Sequence, residues 1–245
     1  MNQAEEILKA AEHGDVEKVR QLIAASPSLA SAKGSYDKTP LHWAAEKNYR
    51  ALAEVLVAER ADMAAETTWG MTPLQWAANM GSREVADVLL AHGVGTQLNM
   101  WTAAGLGMLE VVQSFWATPD TLKPGAGQTR SRMLPDGSWG KTAPPETYAE
   151  LVSDAFQIAC RNGHQRVARF LLDKGADINH RGFFGAPGLH WAAINGHREM
   201  VEFLISCGAD LQSRDLEFQS TPLSWAREGK QAEIAALLQT HGVKS

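Results

Sequence analysis

The sequence predicts an all-α protein of stacked antiparallel helix pairs with short β-hairpin loops and one long irregular insertion in the middle. Three observations predict it. A segment recurs about every 33 residues, since Leu41 to Leu74 is 33 and Leu189 to Leu223 is 34. Each period holds two short runs with helical apolar spacing, divided by Gly or Asn. The period then fails between residues 74 and 156, first by contraction up to Met100 and next by expansion up to Phe156.

The recurring element is seen by aligning "KTPLHWAAEKNYRALAEVLVAERAD" (38–62) with "MTPLQWAANMGSREVADVLLAHGV" (71–94), "PGLHWAAINGHREMVEFLISCGAD" (187–210) and "STPLSWAREGKQAEIAALLQTHGV" (220–243). Thr followed by Pro is a helix start: the hydroxyl caps, and Pro at the first helical position has no N–H to leave unpaired. "LHWAAEK" then makes one short helix, and a run such as "REVADVLLAHG" makes the second, stopped by Gly93. Neither helix alone can bury its apolar face, so neighbours must stack. "AEEILKAAEHGDVEKVRQLIAA" (4–25) has the helix pair without the Thr-Pro entry, as a terminal cap does. "FQIACRNGHQRVARFLLDKGADIN" (156–179) is another pair with a weakened start, and with the shortened "LNMWTAAGLGMLEVVQSFW" (98–116) there are seven pairs in all.

The motifs Thr39-Pro40-Leu41-His42, Thr72-Pro73-Leu74-Gln75, Gly188-Leu189-His190 and Thr221-Pro222-Leu223-Ser224 carry a family resemblance. Gly175-Ala176-Asp177, Gly208-Ala209-Asp210 and the "NGH" turns at 162–164 and 195–197 agree with it. The chain resembles the ankyrin repeat, with its period near 33 and its T-P-L-H-x-A signature. The resemblance covers nearly the whole chain. It implies one ankyrin-repeat solenoid over 1–245: N-cap 4–33, repeats 34–66 and 67–95, a shortened repeat 96–118, an insertion 119–150, and repeats 151–180, 181–213 and 214–245. It also implies that His42 and His190 bridge hairpin backbone, and that Trp43, Trp76, Trp191 and Trp225 pack between repeats. Hairpin tips and first helices would form a recognition surface for a protein or peptide partner.

With the repeat leucine as marker, Leu74 corresponds to Met100, a spacing of 26 that removes the residues of one hairpin. From Met100 to Phe156 is 56, so roughly 23 residues have been added, within 117–154. This stretch is rich in Gly, Pro, Ser and Thr and lacks apolar periodicity until "ETYAELVSD", which extends the next helix with Pro144-Pro145 at its start and Glu146 near the positive helix end. A long insertion beside a shortened connection is expected to act as a lid or filler over the gap.

A net charge of −5 and pI near 5.9 favour neither nucleic acid nor an anionic membrane surface. No stretch approaches the length of a membrane span, and the acidic, amphipathic start "MNQAEEILKAAEHGD" does not read as a signal peptide. Cys160 and Cys207 are expected to be free and buried, in a reducing cytoplasm. "DGSWGKT" (136–142) has Pro135 where a phosphate loop needs Gly, and 125–129 lacks a dinucleotide-site context. There is no HExxH and no Cys/His zinc spacing, so no metal, cofactor or catalytic residue is expected. His13, His164 and His197 at turns, and His92 and His241 in last helical turns, read as structural.

The candidate binding residues come from register. Five residues before each marker leucine stand Tyr36, Trp69, Phe184 and Phe218, with Phe183 beside the third. Aromatics are 7% of the chain, so four in four at one position calls for a cause, and exposed rings at hairpin tips usually mark a binding site. The same register makes Phe183-Phe184 a hairpin tip. The ends of the first helices add Met80, Arg161 and Asn195 beside Glu46, Ile194 and Glu228, an amphipathic surface of mixed sign. Trp101 lies by the gap, and Trp139 with Arg130, Arg132 and Lys141 would enter from the insertion. The expected function is non-catalytic recognition of a protein or peptide. The alternative is a small-molecule site or enzyme for an aromatic or amphipathic ligand, with 117–150 as the lid. Its acid–base candidates would be Asp136, Glu146, Asp154, Arg130, Arg132 and Lys141, with no pair singled out by spacing.

Overall fold

The computed structural model describes residues 2–93, 98–127, 130–133, 139–142, 147–182 and 185–242. They divide into two compact units, Met1–Leu98 and Asn99–Ser245. The predicted all-α repeat fold is present, with seven helix pairs among the described residues.

The first unit holds α1 (Gln3–Glu12), α2 (Val16–Ala25), α3 (Pro40–Lys47), α4 (Arg50–Ala58), α5 (Pro73–Met80) and α6 (Arg83–Ala91). First helices stack in the row α1, α3, α5, and second helices in the row α2, α4, α6. Leu41, Leu52, Leu56 and Leu89 are fully buried between the rows, each contributing about 2 kcal/mol of transfer free energy. Each first helix starts as the Thr-Pro motif dictates. Thr39 N–H and hydroxyl meet His42 Nδ1 at 3.1 and 2.9 Å, so His42 Nε2 carries the proton and donates to Met71 O at 2.9 Å. At the next repeat Gln75 takes the same cap, accepting from Thr72 N–H at 2.9 Å.

The second unit holds α7 (Met100–Gly105), α8 (Leu109–Gln113), α9 (Tyr148–Arg161), α10 (Gln165–Asp173), α11 (Gly188–Ile194), α12 (Arg198–Ser206), α13 (Pro222–Glu228) and α14 (Ala232–Thr240). It again forms two rows, α7, α9, α11, α13 and α8, α10, α12, α14. The "NGH" turns have a packing reason: Gly163 sits at φ 74°, and a Cβ there would lie 2.8 Å from the His197 ring of the next repeat.

The insertion differs from the irregular segment expected. It contains two antiparallel ladders, β1 (Trp116–Thr118) with β2 (Thr121–Leu122) and β3 (Arg130–Met133) with β4 (Trp139–Thr142). Its first arm is anchored: Trp116 Nε1 donates to Tyr148 Oη at 3.1 Å, and Lys174 Nζ to Pro119 O at 2.9 Å. Buried Ala126 accepts from Met100 N–H at 2.9 Å, so the insertion returns to cap the helix whose own hairpin is missing. The α9 helix does extend upstream, but it begins at Tyr148 with a Thr147–Glu150 capping box; Pro144, Pro145 and Glu146 lie outside the described residues. Cys160 is buried, whereas Cys207 is exposed, because it caps α12 beyond the last packed turn.

At α11 the entry motif is broken. Pro187 stands where Thr39, Thr72 and Thr221 stand elsewhere, so it offers no N–H and no hydroxyl, and buried His190 Nδ1 has no hydrogen-bond partner. Gly188 replaces the usual Pro because a Cβ there would approach Cys160 Cβ to 2.8 Å. Pro187→Thr is therefore expected to raise unfolding free energy by about 0.5–1 kcal/mol: the restored cap exceeds the unfolded-state entropy that Pro had removed. Urea unfolding checks it, and an unchanged or lower midpoint would count against the missing cap.

Candidate functional site

In the first unit the chain turns at Ser35–Lys38 with Tyr36 at φ 59° and Asp37 at φ 56°. Two left-handed residues make a tight primed turn, which Gly and Asn usually occupy; a tyrosine there costs about 1 kcal/mol. The turn aims the ring outward, 61% exposed, with one side stacked on Trp69 at 4.8 Å. Trp69 in turn stacks on Trp76 at 5.6 Å. Beneath this row the Lys38 ammonium lies 3.8 Å from the Trp43 ring centroid and 5.0 Å from that of Trp76, paired with the Glu46 carboxylate. Glu46 also accepts from Trp76 Nε1 at 3.3 Å. Two indoles and a carboxylate thus enclose an ammonium that the chain itself supplies.

The second unit repeats the two indoles without the lysine. Trp191 and Trp225 hold the positions of Trp43 and Trp76 and meet edge to face at 4.8 Å. Ala186 takes the register position of Lys38, and Ile194 that of Glu46. An open cavity of about 640 Å³ lies here, lined by Trp191, Ile194, Glu217, Phe218, Trp225 and Glu228 among others. Its hairpin wall is held by Asp215, which is fully buried. Asp215 accepts from Phe218 N–H at 2.6 Å, Ser220 N–H at 2.9 Å and Trp225 Nε1 at 3.1 Å. The hairpin leaves Phe218 66% exposed at the tip.

One register position decides the charge around each indole. The residue five after the marker leucine reaches the tryptophan of the next repeat: Glu46 touches Trp76, Ile194 packs with Trp225, and Arg161 lies over Trp191 at 4.0 Å. Burial lowers the Arg161 pKa to about 10, still a full cation at neutral pH. Asn195 is exposed and its amide donates to Arg161 O at 3.0 Å, holding the end of α9. Met80 ends α5 half-buried, and Trp101 is buried in α7 at 5% exposure.

Phe183 and Phe184 lie outside the described residues, as do Asp136 and Glu146. Trp139 and Lys141 fall on β4, and Arg130 and Arg132 on β3. Asp154 is buried in α9 and accepts from His180 Nε2 at 2.9 Å, tying the hairpin arm to the helix. The roles of Lys38 and Asp215 were missed from the sequence; the only available signal was that each stands at a fixed offset from a marker leucine. Among the described residues no group of three or more His, Cys, Asp or Glu could hold a metal, and no helix is long and apolar enough to cross a membrane.

Stacked helix pairs with capped Thr-Pro entries, joined by hairpins, define a helical repeat protein in each of the two units. The model of ankyrin repeats (3 copies) matches residues 7–102 and 156–245, and the chain belongs to the ankyrin repeat family. Ankyrin repeats generally mediate protein–protein interaction. Among solved structures, the chain is similar to the human ASB11 ankyrin repeat domain at 21% identity over 98% of both chains, with a TM-score of 0.44. No curated protein sequence matches it.

Proposed function

We propose that this protein is a non-catalytic binding module that recognises a protein or peptide segment through its hairpin tips and first-helix ends. One observation carries the proposal. Among the described residues, Tyr36 and Phe218 are the large hydrophobic side chains left exposed, and both stand at the same register position of a hairpin tip. Exposed rings backed by packed indoles are the usual anchors of an interface. Tyr36 is moreover kept in a turn that a smaller residue would form with less strain.

That strain makes a clean test. Tyr36→Asn loses about 1 kcal/mol of ring stacking and recovers a similar amount of turn strain, so stability should change by less than ~1 kcal/mol. Peptides selected on the parent protein from a displayed random library should bind Tyr36→Asn or Phe218→Asn at least ~10-fold more weakly. Selected binders indifferent to both variants would refute recognition through the tips.

A further inference from the structure

The cavity of the second unit is open where the first unit's equivalent is filled, and the filling shows what fits. In the first unit the occupant is a lysine side chain, its ammonium on Trp43 and Trp76 beside the Glu46 carboxylate. In the second unit Trp191 and Trp225 remain, but Ala186 ends at its β-carbon and supplies no ammonium. The carboxylates have moved from the helix position of Glu46, now Ile194, to Glu217 and Glu228 on the cavity wall. Among the described residues no cation lines this cavity. The nearby charges are Asp215 on the Trp225 indole N–H and Arg161 over Trp191 from the preceding repeat.

We propose that this cavity receives a lysine side chain of the peptide partner, its ammonium held by the carboxylates of Glu217 and Glu228 and by the Trp225 indole, beside the Trp191 ring that already carries the Arg161 guanidinium. A cation on an aromatic face is attracted by the ring quadrupole, more strongly once desolvated. Ile194 and Phe218 supply apolar surface for the four-carbon stem. The volume of about 640 Å³ exceeds one side chain and leaves room for its neighbours in the peptide. Phe218 belongs both to this wall and to the exposed tip, which ties the pocket to the proposed interface. This deepens the partner-binding proposal and rests on it.

The test is nitrogen-15 NMR titration of the full chain, following the indole N–H signals of Trp191 and Trp225. The probes are Nα-acetyl-lysine N-methylamide, its Nε-trimethyl form and its Nε-acetyl form. Both charged probes should shift the two signals saturably, and the neutral Nε-acetyl probe should bind roughly 10-fold more weakly. Glu217→Gln with Glu228→Gln, both on exposed residues, should weaken the charged probes by about 3–10-fold. Ala186→Lys, which copies the Lys38 plug, should abolish the shifts while the remaining spectrum is kept; if it does not fold, the double glutamine variant gives the decision. Equal binding of the acetylated probe, or indifference to the glutamine pair, would overturn the proposal. So would an anionic probe, 4-hydroxybenzoate, shifting these indoles where the lysine probes do not. Such a failure leaves tip-dependent peptide binding standing, since Tyr36→Asn reads that at a residue that does not line this cavity.

Discussion

Asp215→Ala is expected to lower unfolding free energy by about 3–5 kcal/mol, because it leaves three hydrogen-bond donors of the hairpin without their acceptor. The carboxylate is fully buried and accepts three hydrogen bonds, from the backbone N–H groups of Phe218 and Ser220 and from Trp225 Nε1. Bonds to a charged acceptor are worth about 1.5–3 kcal/mol each, and leaving three donors unsatisfied falls below the plain sum because they share one acceptor. Asp215→Asn keeps the shape but has one oxygen where two accepted, so roughly half the loss is expected. The consequences reach the cavity as well, since Glu217, Phe218 and Ser220 hang on the hairpin that Asp215 closes. Urea unfolding of the three proteins is the check. A loss below ~1 kcal/mol in the alanine variant would mean that other bonds hold the hairpin.

The second large effect is on pH dependence. His42 and His190 are buried, and loss of hydration pushes each pKa down to about 4 from 6.5, partly offset by the bonds to Met71 O and Ser220 O. Between pH 6.5 and 4 the unfolded chain binds these protons and the folded protein does not, so stability rises with pH across that window. Above pH 6.5 the two histidines contribute no further change. As pH falls to 4 each should remove about 3 kcal/mol, at a slope near 1.4 kcal/mol per pH unit. His42→Gln isolates one share, because the chain itself uses Gln75 in the same cap. The variant gives up the bond to Met71 O and is expected to be about 1–2 kcal/mol less stable at pH 7. The parent's advantage should then shrink as pH falls and reverse between about pH 6 and 5, and carboxylate titrations common to both cancel. A constant difference from pH 7 to 4.5 would rule out a neutral buried His42.

Much of the fold was legible because its rules are short-ranged. Thr39, Thr72 and Thr221 cap within three residues, and the apolar spacing of α4, α6 and α12 is plain in the sequence. Where a rule broke, the cause was long-ranged. Pro187-Gly188 departs from Thr-Pro at a site where Cys160, in the preceding repeat, leaves no room for a Cβ. Cys207 was expected inside and lies outside, because a cap residue after the last buried turn has no neighbour to face. The insertion's composition hid two ladders, since strands of two to four residues carry too few side chains to show an alternation.

The sequence by itself determined the family, the register of every helix pair and the position of the tip aromatics, because a 33-residue period repeats the same local chemistry. Register placed Tyr36 beside Trp69 and Phe218 near Trp225 in order along the chain, but not their exposure or contacts. Only the tertiary structure decided that Lys38 fills one indole pair and that Ala186 leaves the other open. That outcome depends on side-chain length and charge at positions about 30 residues apart, where one methyl in place of a lysine changes a plugged cage into a cavity.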